Sequence, residues 1–327
     1  MAIGISPLVD YAFKLMLGSP EHSGITVHFL NAILVGQPKI TRVTFLNPIL
    51  GMESDDDKLA VLDILATDEH GRRLNIEMQT SVPAGMPQRL TYYVASSYAD
   101  QLSKGDGYQM LAPSISICVL SQALFHDPAL LHLDFRLRDS AAKLTLTDHL
   151  QVHLLQLKHL QVTAETVYNA TPAEQWAYFL KTADSMTSEE VRRSFPDRVF
   201  HEAIGVLQMI SKTEEQMLVY NARLKQQRDE EARTVQAVVQ ARLEGEARGI
   251  EIGEARGIEI GEARGIEIGE ARGLEIGEAR GLRGQVALMQ KLLGQRVWTT
   301  EEFDALDLEQ LKAISAQLEQ QLECRNS

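Results

Sequence analysis

The sequence predicts an α/β domain, a mixed sheet flanked by helices, followed by an α-helical C-terminal region that carries a glycine-rich octapeptide repeat. Three observations predict it. Through residues 1–160, apolar spacing switches between a helical period and strict alternation. From residue 171 the pattern is helical alone. From Gly245 the octapeptide GEARGIEI recurs. The expected organisation is an α/β domain over 1–160, a helical extension over 161–244 ending in a long helix, the repeat over 245–284 and a C-terminal helical segment over 285–327.

The elements are justified in order. PLVDYAFKLMLG sets Leu8, Phe13, Leu15 and Leu17 among polar residues, with Pro7 suited to a helix start and Gly18 to a stop. ITVHFLNAILVG (25–36) reads as a second helix with the same kind of ending. KITRVTFLNPIL is strand-like, and an acidic loop, MESDDDK, follows. VLDIL and RLNIEMQ then read as two strands of a hairpin whose turn is DEHG (68–71). Leu90, Val94 and Tyr98 give residues 87–105 a helical spacing that Gly105 is expected to end. SISICVL (114–120) is a short, β-branched, almost continuous apolar run, the mark of a central strand. LLHLDFRLRD and DHLQVHLLQL alternate and predict two further strands. Residues 213–244 lack proline and glycine and predict one long helix; the tail predicts two amphipathic helices, with Thr299 or Thr300 as a cap.

Composition narrows the function. The 327 residues are 44% hydrophobic and 24% charged, ordinary for a globular protein, and no apolar stretch approaches the ~20 residues of a membrane span. No membrane partner and no secretory signal are expected. The two cysteines, Cys118 and Cys324, form no metal-like cluster and read as reduced thiols of a cytoplasmic protein. A net charge of −13 excludes a surface that clamps nucleic acid all over, but not a local basic groove. There is no phosphate loop of the form GxxxxGK[ST]. His149 and His153 have i,i+4 spacing, but on an alternating strand and without HExxH they carry no zinc-site signal.

The chemistry lies in the hairpin. With DEHG as the turn, paired positions sum to about 140, which sets Asp63 opposite Glu77 and puts Gln79 on the same face. Two opposed carboxylates in an apolar hairpin repel and are costly to bury without a partner. Hard carboxylate oxygens at this separation suit Mg²⁺ or Mn²⁺, with the Met78 carbonyl as a further ligand. Such an ion polarises a phosphoryl oxygen, activates water and orients an in-line attack. From the spacing alone a second reading stays open: a solvated sheet face, with salt bridges to Lys58, Arg72 or Arg73.

The arrangement D-x(13)-E-x-Q resembles the PD-(D/E)XK nuclease superfamily, and more closely the Rpn group of recombination-promoting nucleases, also called PD-(D/E)XK nuclease family transposases. DYAFKLMLG matches the group's D-x-x-F-K pattern through Asp10, Phe13 and Lys14, and HFLNAIL follows with Phe29, Leu30 and Asn31. KLAVLDILATDEHGRRLNIEMQ is the most specific element. The helix and strand over 89–120 and the strands of LTLTDHLQVHLLQLKHL complete the match, which is good over 6–160 and looser to about 240. The resemblance implies a restriction-endonuclease-like core, a DNA substrate, and Asp63 and Glu77 as ligands of a catalytic Mg²⁺ (or Mn²⁺). Gln79 would stand where the wider superfamily has lysine, although Gln is usual in the nearer group; it supplies a dipole where lysine supplies charge. Asp10 and Lys14 are auxiliary candidates. Lys58, Arg89, Tyr92, Tyr93 and Lys104 are candidates for nucleic-acid contacts. The competing function is a catalytically weak or inactive nuclease-fold module that binds nucleic acid or a protein.

The repeat puts glycine at every fourth position, ten times over 245–281. Each costs ~0.8–1 kcal/mol relative to alanine in a helix, against ~0.2–0.5 kcal/mol returned by each Arg–Glu pair. A flexible or marginal helix is expected there, and a homo-oligomer formed through the C-terminal helices.

Overall fold

Ala12, Phe13, Met16 and Leu17 recur at helical spacing and form the buried stripe of the first helix, α1 (Asp10–Leu17). The computed structural model describes residues 2–46, 49–50, 60–61 and 63–326. Gly18 ends α1 by donating its amide to the Lys14 carbonyl at 2.8 Å. A Cβ there would stand 2.8 Å from that oxygen and 3.1 Å from the Ile64 side chain, so the glycine is what lets α1 press against the residue following Asp63. A second helix, α2 (Ser23–Ile33), buries Ile25, Phe29, Leu30 and Ile33 beside it.

The strands β1 (Val43–Phe45), β4 (Ile64–Asp68), β5 (Arg73–Gln79), β6 (Ser114–Leu120), β7 (His132–Arg138) and β8 (Thr145–Gln156) form one mixed sheet in the order β1-β4-β5-β6-β8-β7. β5, β6 and β8 run parallel, and the other pairings are antiparallel. β2 (Ile49–Leu50) and β3 (Ala60–Val61) pair separately. β6 is buried at all seven positions, as its unbroken apolar run requires of a central strand. Period two divides β5: Leu74, Ile76 and Met78 enter the main core, while Asn75, Glu77 and Gln79 alternate to the other face. The helix α3 (Met86–Ala99) packs on that other face through Met86 and Leu90, against Cys118, Leu120 and Leu154.

The expected helix over 87–105 is shorter than the sequence suggests. It stops at Ala99, where Asp100 turns to accept from Arg73 Nη1 at 2.9 Å and Gln101 brackets Ala112 through both amide and carbonyl. Those tertiary bonds outcompete further helix. Gly105, with φ +103°, belongs to the next turn rather than to the helix end.

The remaining helices α4 (Pro172–Thr182), α5 (Ser188–Ser194) and α6 (Val199–Lys212) close the main core around Trp176, Phe179, Phe195 and Phe200. Thr171 and Thr187 start α4 and α5 with reciprocal capping boxes to Glu174 and Glu190. The last helices are α7 (Glu214–Leu292), α8 (Thr300–Asp304) and α9 (Leu308–Asn326). Thr299 caps α8 with Glu302, as the tail sequence predicts. The chain divides into two compact units, Met1–Val238 and Val239–Ser327, so α7 contributes to both. The first holds the whole six-stranded sheet. The second has its own small core of Val286, Met289, Phe303, Leu311 and Leu318. The repeat lies within α7; its residues up to 278 are exposed, and no atom outside the helix's own turns stands within 4 Å of where a Cβ would sit at any of its glycines.

Candidate active site

The hairpin of β4 and β5 has its turn clamped by a buried ion pair. Asp68 accepts from the His70 and Arg72 amides, both at 2.9 Å, and from Arg72 Nε at 2.5 Å. Arg72 also donates to the Pro38 carbonyl at 2.9 Å and to Gln37 at 3.2 Å. Gly71 takes φ +79° at the bend. The clamp fixes the register: Ile64 faces Ile76, Leu65 faces Asn75 and Ala66 faces Leu74, so paired positions sum to 140 as the sequence predicts. Arg72 and Arg73 are therefore spoken for, by Asp68 and Asp100. Neither serves Asp63 or Glu77, and Lys58 lies outside the described residues.

Asp63, which the sequence places within a strand and paired with Glu77, stands instead at a bend just before β4, where the ladder ends at Ile64 and Ile76; it still meets Glu77 at the open end of this hairpin. The Asp63 amide donates to Glu77 Oε1 at 3.3 Å, and Asp63 Oδ2 accepts from the Met78 amide at 3.1 Å. Glu77 is 2% exposed. Burial, and then the neighbouring charge of Asp63, push its carboxyl up to about 8; the Asp63 amide, Arg89 and Asn75 offset part of this. Asn75 donates to both Glu77 Oε1 and Ser116 Oγ at 3.3 Å, while its own Oδ1 is buried without a partner. Sequence reasoning missed Asn75. Its signal is the i,i+2 spacing to Glu77, which puts both on one strand face. Cys118, opposite Glu77 in register, is fully buried, and burial first and the site carboxylates second raise its thiol well above the usual range; it is no nucleophile.

Two cations flank the acids. Lys14 Nζ lies 2.9 Å from Asp10 Oδ1 and 3.1 Å from Asp63 Oδ1. Burial opposes its charge, but Asp10 and Asp63 outweigh it and raise its pKa. On α3, Arg89 Nε donates to the Tyr93 hydroxyl at 2.8 Å, and the guanidinium sits 5.2 Å from that ring's centroid. Desolvation opposes the Arg89 charge; Tyr93, Glu77 and Asp63 outweigh it and raise its pKa. Tyr93 packs on Leu65, whereas Tyr92 is exposed. The structure does not bring Lys104 to the site. It follows Asp100, which bonds Arg73 at the far end of β5, about 13 Å along the strand from Glu77. His149 and His153 lie on β8 with Tyr98 and His132 as partners.

A cleft of about 270 Å³ opens beside Asp10, Asp63, Met78 and Gln79. The side-chain oxygens of Asp63 and Glu77 are of the hard type that divalent cations such as Mg²⁺ or Mn²⁺ take. Among the described residues no group of three or more His, Cys, Asp or Glu is gathered that could hold an ion, so any ion here would rest on few protein ligands.

A six-stranded mixed sheet flanked by helices, with two acids juxtaposed at the end of an antiparallel pair, is consistent with the PD-(D/E)XK nuclease class. The chain belongs to the PD-(D/E)XK nuclease family transposases, whose family model matches residues 7–237. No curated protein and no solved structure matches it.

Proposed function

We propose that the protein is a divalent-metal-dependent DNA endonuclease that hydrolyses phosphodiester bonds, in keeping with a family tied to mobile DNA and recombination. The observation that carries this is the meeting of Asp63 and Glu77 beside an open cleft, with the Asp63 amide bonded to Glu77 Oε1. Asp63 and Glu77 would hold Mg²⁺ or Mn²⁺, which would supply charge to a phosphoryl oxygen and acidify water. Gln79, on the cleft wall, orients the attacking water by its dipole. Asn75 holds Glu77 in place. The Lys14 ammonium and the Arg89 guanidinium bring to the acids the positive charge that Gln79 lacks. Arg89 and Tyr93 would meet the DNA. A cytoplasmic location, supported by the buried free thiol of Cys118, and self-association through the C-terminal helices complete the proposal.

A second reading, a non-catalytic binding module, draws on the ion pairs of Lys14. One ammonium bonds both Asp63 and Asp10 and offsets part of their charge without a metal ion. Plasmid nicking decides between the two. The nuclease nicks with Mg²⁺ or Mn²⁺ and stops in EDTA; Asp63→Ala and Glu77→Ala abolish cleavage while the fold is kept, and Gln79→Ala costs less. Wild-type rates in Asp63→Ala, or cleavage that survives EDTA, would overturn the reading.

A further inference from the structure

Across the cleft from the acids stands the beginning of α7, and it contributes Arg223, Gln226, Gln227, Glu230 and Glu231 to the lining. Spacings of three, four, seven and eight put these five on one face of the helix. Tyr220, three residues before Arg223, is buried, and its hydroxyl accepts from the Ser6 amide at 2.9 Å; Leu224 packs on the main core. The face is therefore fixed to the sheet domain. It grades from cation through amides to anions, with about 10 Å of helix axis between Arg223 and Glu230.

Arg223 is the cation of this face. Its Nη1 donates to Gln226 Oε1 at 3.1 Å, and among the described residues no carboxylate pairs with it. An arginine that faces acids across a cleft and keeps its charge unneutralised is equipped for an anion brought in by a ligand. We infer that Arg223, braced by Gln226, is a phosphate-binding subsite for the DNA backbone, one that holds a strand in the cleft opposite Asp63 and Gln79. This rests on the nuclease reading and adds a binding group from the helical extension, well outside the hairpin. Glu230 and Glu231, two turns further on, repel phosphate, so they confine the anchored strand to the Arg223 end of the face.

The test measures binding without cleavage: anisotropy of a short labelled duplex and of its single strand, in EDTA, across a salt series. Arg223→Gln keeps a hydrogen-bonding side chain and removes the charge. The expected result is about tenfold weaker binding of either DNA form, irrespective of sequence, with a log–log salt slope shallower by about 1. Arg223→Lys restores the slope. Lys225→Gln removes the same charge from α7 outside this cleft and is expected to change affinity much less. Equal losses in Arg223→Gln and Lys225→Gln would overturn the subsite and leave the nuclease reading standing. A wild-type chain that binds neither DNA form in EDTA would also overturn the subsite, and the nicking assay then decides the nuclease reading by itself.

Discussion

Glu77 keeps its proton to higher pH than an ordinary glutamate. Its carboxyl is pushed up to about 8 from an ordinary 4.5, by burial first and by Asp63 second. The native state thus binds that proton more tightly than the unfolded chain does. The group's contribution to stability is complete below pH 4.5 and is lost as pH rises to about 8. In metal-free protein, urea melts across this window are expected to show a fall that Glu77→Gln flattens. Parallel profiles for the two proteins would remove the argument. Added Mg²⁺ is expected to reverse the fall, because a bound ion expels the proton, and binding should release protons below pH 8. Both acids were legible in the sequence because each interrupts an apolar run. Asn75 was not, since an outward polar residue on an alternating strand looks ordinary. The distance of Lys104 from the acids was not legible either, because position along a chain does not tell which end of the sheet a loop reaches.

The turn of the hairpin is held by a clamp as well as by strand pairing. Asp68 and Arg72, with side chains 0% and 5% exposed, tie the turn to the chain at Gln37 and Pro38. Arg72→Ala leaves a buried carboxylate unpaired and is expected to cost ~3–5 kcal/mol. A one-residue slip would also turn Glu77 from its face into the core, so nicking is expected to fall further than the melt alone explains. Denaturant melts and nicking of one preparation check this; an unchanged melt would dismiss the clamp. The turn, the central strand β6 and the Thr299 cap were readable because each depends on residues close in sequence. The end of α3 was not, because Arg73 and Ala112, distant in sequence, decide it.

The first unit, Met1–Val238, contains the cleft and the whole of the matched region 7–237. The repeat therefore stands outside the proposed chemistry, and we propose that it is a marginal helix serving assembly. Deleting 245–284 is expected to leave the nicking rate intact while changing the oligomer mass seen by light scattering. Loss of nicking in a folded, normally assembled deletion protein would refute that division of labour. The openness around the repeat glycines also has a genetic consequence. Purifying selection senses the length of a tract through the neighbours that a change would disturb, and these glycines have none within reach outside their own helix. Gain or loss of a whole octapeptide by replication slippage would leave both cores as they are, so alleles of this gene are expected to differ in repeat number sooner than in the hairpin.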